Sequence, residues 1–174
     1  YPNAIAGLVL EGTCADMTQF RAELEPLRRA LGTETETMMR RYEAAGTFDH
    51  REYRAAITLL NYRHVWPAHT WSELLEYHMA HWNARIYEVI QGPNEFCCTG
   101  NLKNWNRLDD LRRVTCPTLI FVGEHDHITP ACSKRMAEAL PNAELHVIAN
   151  CGHGVMRGAP KEYFSVLFKF LDRA

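Results

Sequence analysis

Two polar loops carry the residues best suited to chemistry. Asp126 stands between His125 and His127 in "GEHDHITP", and His153 follows in "NCGHGV". Each loop comes directly after a short apolar run of the kind that forms a buried strand. An aspartate that accepts a hydrogen bond from the Nδ1–H of a histidine fixes its tautomer and leaves Nε2 as a general base, which suits hydrolysis. The same pattern also fits a helix-capping Asp126 beside an unrelated loop histidine.

The histidines raise a second possibility, a metal site. His125 and His127 flank the acid, and His78 and His81 share a helix face in "YHMAHW". Neither pair has a further ligand at suitable spacing, and His125 and His127 are not expected to join Asp126 if its carboxylate binds the distant histidine. No glycine-rich phosphate loop is present either. The sequence therefore predicts neither a metal nor another cofactor.

Three apolar runs would position these loops. They are "AGLVLEG" (6–12), "CPTLIFVGE" (116–124) and "AELHVIANCG" (143–152). Short runs bounded by turn residues are typical of parallel strands that are covered on both faces. A helical segment follows the second run and another follows the third, with an apolar stripe in the last one of Phe164, Leu167, Phe168 and Leu171. The order predicts a doubly wound α/β fold, in which the acid and the histidine meet at the carboxyl ends of neighbouring strands.

A long insertion separates the first two strands. A parallel connection needs only about a dozen residues, but residues 13 to about 115 intervene here. Helix-start signals recur in this segment at Asp16, at a Thr33/Glu36 capping box and at Asp49. We therefore predict a large helical cap over residues 14–109 and a partial α/β core formed by residues 1–13 and 110–174.

The predicted sheet has few strands for this fold class. Three are visible, whereas sheets average about five or six, and the first begins almost at residue 1, so its outer edge would be bare. We expect the chain to be the C-terminal part of a larger protein.

Composition narrows the classes of partner. A formal charge of −2 and a pI near 6.5 give no basic field for nucleic acid or an anionic membrane. No apolar run approaches the ~20 residues of a membrane span, and the first residues lack a signal peptide pattern. The six cysteines are scattered and are expected to be reduced and mostly buried. We expect a cytoplasmic protein.

The segments "QGPNEFCCTGNLKNWNRLDDLRRVTCPTLIFVGEHDHITP" and "ELHVIANCGHGVM" resemble the proline iminopeptidase (prolyl aminopeptidase) family of α/β-hydrolases. The resemblance covers nearly the whole chain, and "GPNEF…TG" is its more specific motif. It implies a serine peptidase in which Asp126 is the triad acid and His153 the triad base. It also implies that Glu95 of "PNEF" receives the free α-ammonium group of the substrate.

Two positions depart from the family pattern. No G-x-S-x-G nucleophile elbow is present, and Ser72, Ser133 and Ser165 all fall in predicted helices. The resemblance places that elbow upstream of Tyr1, so the isolated chain is expected to be inactive. Position 127, where the family often has a second ammonium-binding glutamate, is His127. We take His127 as a substrate-binding position, and an amidase or esterase of related build stays open beside the aminopeptidase.

The predicted partners depend on whether the protein is an enzyme or a non-catalytic binding protein. As an enzyme, the chain would act on a peptide or amino-acid amide together with the N-terminal part of the same hydrolase, and it is a possible homo-oligomer. As a non-catalytic protein, it would bind a small amine or peptide, or pair its bare strand edge with another chain.

Overall fold

The computed structural model describes residues 4–67 and 72–173. Three strands are present: β1 (Leu8–Glu11), β2 (Thr118–Gly123) and β3 (Ala143–Ile148). Eight α-helices are described: α1 (Met17–Arg29), α2 (Thr33–Ala45), α3 (Arg51–Leu60), α4 (Glu73–Ala80), α5 (Ala84–Ile90), α6 (Pro130–Ala139), α7 (Val155–Gly158) and α8 (Pro160–Leu171). A π-helical turn (Asn61–Val65) continues α3, and two 3₁₀ turns (Asn101–Asn104 and Asp109–Arg113) precede β2.

The strands form a parallel sheet in the order β1-β2-β3. Thr118 pairs with both Leu8 and Ala143, so the three strands start level and their carboxyl ends share one edge. Every residue of the central strand β2 is buried, as expected for a strand with both faces covered. The predicted α/β parallel sheet with a helical insertion is confirmed, and each strand is shorter than the apolar run that indicated it.

Separate clusters of buried side chains lie on the two faces of the sheet and in the helical insertion. One face packs Leu119, Phe121 and Ile148 against α8, and the other packs Ile120 against α6. The helices between β1 and β2 have their own cluster, which includes Phe20, Met39, Tyr53, Leu60 and Phe96. The division into a core and a cap at residues 14–109 stays a prediction.

Helix α8 packs on the sheet mainly through residues outside the apolar stripe of its sequence. Tyr163 and Phe170 are buried, and the Tyr163 ring lies 4.4 Å from that of Phe121. Phe164, Phe168 and Leu171 are exposed among the described residues. The helix itself is present as predicted, and of the four stripe residues Leu167 packs against the sheet cluster, because an aromatic-rich helix has apolar residues on more than one face.

The predicted helix starts had mixed outcomes. Asp16 caps α1 as predicted, since its side chain accepts hydrogen bonds from the backbone N–H groups of Thr18 and Gln19. The Thr33/Glu36 capping box is wrong, because α2 begins at Thr33 without a side-chain cap. Asp49 is also not a cap, since the His50 side chain accepts from Glu52 N–H at the start of α3. Within the described ranges, no helix is long and apolar enough to cross a membrane.

Candidate active site

Asp126 and His153 lie together at the carboxyl edge of the sheet. Asp126 comes three residues after the end of β2, in a turn closed by its N–H to the Gly123 carbonyl at 3.1 Å. The Nδ1 of His153 lies 3.1 Å from each carboxylate oxygen of Asp126. The carboxylate is buried and also accepts a 2.8 Å hydrogen bond from the N–H of Ile128. This geometry fixes the Nδ1–H tautomer of His153 and leaves its Nε2 available as a base.

Close backbone approach holds the two loops in register. The N–H of His125 donates to the Cys151 carbonyl at 2.8 Å. A Cβ at Gly123 would lie 2.2 Å from the Gly152 carbonyl oxygen, so this crossing requires glycine. Gly12, which follows β1 with φ of +53°, lies under the His153 ring, and a Cβ there would be 2.5 Å from Cε1. The end of β1 therefore also sets the position of the histidine.

The π-helical turn contacts both loops from the side of the helical insertion. The carbonyl of His64 accepts a 3.0 Å hydrogen bond from the N–H of His153, and its Nδ1–H donates to the His125 carbonyl at 2.8 Å. The Trp66 ring meets the His153 ring edge-on, with centroids 6.2 Å apart. Burial lowers the pKa of His64 and outweighs its hydrogen bond to the carbonyl, so the ring stays neutral. Sequence reasoning missed this contact, since a π-helical turn has no recognised sequence signature.

His127 lies between two carboxylates and is fully buried. Its Nδ1 is 3.1 Å from Oδ1 of Asp126, and its Nε2 is 3.4 Å from Oε2 of Glu95. The contact with Asp126 is poorly aligned for a hydrogen bond and is best described as a charge contact. The expectation that His127 would not join Asp126 was wrong, because one carboxylate oxygen is near both histidines. His125 points away and its side chain is largely exposed.

These contacts set the charges of the cluster. Burial by itself would raise the pKa of Asp126, but its contacts with His127 and His153 outweigh burial and hold the pKa below the ordinary value. The same competition, with His127 as the main partner, lowers the pKa of Glu95. Burial opposes the charge of His127, but the two carboxylates outweigh it and raise the pKa to about 9. At neutral pH the carboxylates of Asp126 and Glu95 therefore stand beside the imidazolium of His127.

A buried polar network holds the segment that carries Glu95. Arg28 of α1 donates to the Phe96 carbonyl at 2.9 Å and pairs with Glu43 of α2 at 2.8 Å. Tyr53 donates to Glu43 at 2.9 Å and accepts from the Asn94 amide at 3.0 Å. Three separate helices thus fix the two residues that flank Glu95. The sequence gives no signal for this network, because its members are far apart along the chain.

Neither the serines nor Cys14 of this chain are suited to act as the nucleophile. The serines do not follow a strand, and the Cys14 thiol is protonated. Ser133 and Ser165 lie inside α6 and α8, as predicted. Ser72 is the N-cap of α4, where its hydroxyl accepts from the Leu75 N–H, and it was expected inside a helix. Cys14 follows β1, but burial raises the pKa of its thiol to about 11, which keeps it protonated. All six cysteines are free, and five of them are buried.

The same cluster contains the residues that could hold a metal. Asp126, His127 and His153 each offer a ligand atom, and these atoms lie within 4.8 Å of one another. The histidine nitrogens that face Asp126 already carry protons, so a metal ion would have to displace those protons. The described part of the chain holds no other such group. The assignment of no metal stays a prediction.

An open cleft runs beside His153. It has a volume of about 260 Å³, and the Arg157 guanidinium lies 4.7 Å above the Trp66 ring at its wall. It is lined by Glu11, Gly12, Trp66, His153, Gly154, Met156 and Arg157. The candidate base thus borders a space large enough for a small acyl group.

Comparison with known proteins places this arrangement in a family. The Alpha/beta hydrolase family matches residues 3–166. The proline iminopeptidase of Thermoplasma volcanium is 26% identical over 174 residues, which are 99% of this chain and 59% of that protein. The proline iminopeptidase of Heyndrickxia coagulans is 28% identical over 172 residues, or 98% and 60% of the two chains. The chain spans about three-fifths of the length of these curated relatives.

Solved structures agree with this placement. The crystal structure of VinJ superposes with a TM-score of 0.89 at 29% identity, covering 97% of this chain and 57% of that one. The proline iminopeptidase of Mycobacterium smegmatis superposes with a TM-score of 0.82 at 29% identity, covering 99% and 58%. The resemblance inferred from the "GPNEF" and "GEHDHITP" segments is thus confirmed. The chain belongs to the Alpha/beta hydrolase family.

Proposed function

We propose that the complete protein is a serine hydrolase of the proline iminopeptidase type, which releases an N-terminal proline or another small residue from short peptides. The observation that carries this proposal is the contact of His153 Nδ1 with both carboxylate oxygens of buried Asp126, at the wall of an open cleft in an α/β-hydrolase. The similarity to proline iminopeptidases supports the substrate class.

In the proposed reaction, a serine supplied from outside this chain attacks the scissile carbonyl. His153 Nε2 takes the hydroxyl proton and later gives it to the leaving amine, while Asp126 orients the ring and stabilises the imidazolium. Backbone N–H groups beside the serine hold the oxyanion. Glu95 binds the N-terminal end of the substrate, and residues 14–109 act as a cap that excludes water from the site. No cofactor takes part, and we place the reaction in the cytoplasm.

The test compares this chain alone with the joined protein, meaning the chain together with the upstream part of its reading frame. We expect an in-frame G-x-S-x-G one helix upstream, and prolyl or alanyl p-nitroanilide cleavage by the joined protein only. Replacement of that serine by alanine is the matched control and should abolish turnover. A joined protein that cleaves neither amides nor simple esters would contradict the proposal.

The second candidate is an amidase or esterase for an uncharged small acyl group. His127 favours it, because this residue already places a cation against Glu95. An ester or amide without a free amine, tested beside the prolyl substrate, distinguishes the two. Light scattering of the joined protein would show whether it is a homo-oligomer.

A further inference from the structure

Both ring nitrogens of His127 face carboxylate oxygens in a buried place. Nδ1 is 3.1 Å from Asp126 and Nε2 is 3.4 Å from Glu95, and the side chain is 1% exposed. A neutral imidazole has a single N–H, so it would turn a lone pair toward one of the two carboxylates. A buried lone pair that faces a carboxylate without a proton between them costs free energy, because neither group has a hydrogen-bond partner. The position of the ring between two carboxylates therefore favours the imidazolium, which places positive charge against both of them.

The imidazolium changes what Glu95 offers a ligand. The Glu95 side chain is 30% exposed and contacts His127 through Oε2, and the buried hydroxyl of Tyr87 lies near the same carboxylate. A ligand cation ~3 Å from the other carboxylate oxygen would lie roughly 6 Å from the imidazolium, and by Coulomb's law the repulsion from His127 offsets about half of the attraction to Glu95, of which the more distant Asp126 carboxylate restores only part. The cost of removing an ammonium group from water is unchanged. An uncharged donor has a much smaller desolvation cost and still forms the hydrogen bond.

We propose that His127 is the specificity-determining residue of the Glu95 subsite, which binds an acyl group carrying an uncharged hydrogen-bond donor in preference to a free ammonium. The donor is a hydroxyl, an amide N–H or an amine in its neutral form. This inference rests on the proposed function, because it concerns the acyl side of the same substrate. It also predicts that a peptide amine is accepted best above its own pKa, near pH 8.

The test measures the binding of two nearly isosteric ligands to the joined protein by calorimetry near pH 6. L-Alaninamide carries an ammonium at this pH, and L-lactamide carries a hydroxyl in its place. The wild type should bind L-lactamide at least as tightly as L-alaninamide. His127→Gln should shift the ratio toward L-alaninamide about ten-fold or more, and His127→Glu further, whereas His125→Gln, in the exposed histidine of the same loop, should leave it unchanged.

Several outcomes overturn the inference. They are a wild type that prefers L-alaninamide ten-fold or more, an unchanged ratio in a folded His127→Gln variant, or no binding of either ligand. If the variants do not fold, ¹⁵N-histidine NMR of the wild type decides the matter, since His127 with a single N–H near pH 7.5 refutes it. Binding does not require turnover, so failure of this inference is separate from failure to hydrolyse.

Discussion

The charge of His127 predicts a specific loss of stability at alkaline pH. In the folded chain its two carboxylate neighbours raise the pKa to about 9, against the ordinary value of 6.5 expected in the unfolded chain. Because the folded pKa is the higher one, the contribution is fully present below about pH 6.5 and is lost as the pH rises through about 9. Each pH unit in this interval corresponds to ~1.4 kcal/mol. The whole interval therefore corresponds to ~3 kcal/mol in the free energy of unfolding.

The variant His127→Gln isolates this contribution to the free energy of unfolding, because it keeps a polar side chain that does not titrate. Urea unfolding of both proteins across about pH 6 to 9.5 gives the difference in their free energies of unfolding. We expect a difference of ~3 kcal/mol or more near pH 6, because an uncompensated pair of buried carboxylates remains in the variant. The difference should shrink by ~3 kcal/mol toward pH 9.5 as the wild type loses its imidazolium.

Buried thiols also titrate in this range, so the difference between the two proteins is the proper measure. Burial raises the pKa of four thiols well above ordinary values, which lowers stability at high pH in both proteins alike: Cys14, Cys97, Cys98 and Cys132. His125→Gln is the matched control and should follow the wild type, since that side chain is exposed. A difference between wild type and His127→Gln that stays constant from pH 6 to 9.5 would refute the reasoning.

Three further predictions concern the activity of the loops around His153 and the stability of the helical insertion. In the joined protein, Asp126→Asn should lower kcat by about 10³- to 10⁴-fold with little change in KM, because the histidine tautomer is no longer fixed; steady-state kinetics showing less than a ten-fold loss would contradict this. Gly12→Ala places a Cβ 2.5 Å from His153 and should lower kcat by roughly ten-fold or more, because the base is displaced from the reacting atoms. Gly46→Ala, with φ of +66° and no atom within 4 Å, should cost only about 1 kcal/mol of stability. Arg28→Met leaves its buried carboxylate partner uncompensated and should reduce the urea-unfolding free energy by ~3–5 kcal/mol, and a loss under ~1 kcal/mol would show that the pair is effectively solvated.

Local patterns predicted the elements of the sheet well and the helix starts less well. The apolar runs located β1, β2 and β3 to within a few residues, since a short continuous run bounded by turn residues favours a buried strand over a helix. Capping signals are more degenerate: Asp16 caps α1, but Thr33 and Asp49 do not act as caps. Capping depends on the path of the preceding chain, and three or four residues do not determine that path.

The sequence by itself determined the fold class and the meeting of two loops at one sheet edge, because strand order and chain direction fix where carboxyl ends lie. Only the tertiary structure decided the state of His127. Its charge depends on Glu95, which lies on a separate turn segment after α5, and on the exclusion of water around the His127 ring. Electrostatic energy depends on distance and local dielectric, and the spacing of residues along a chain predicts neither quantity.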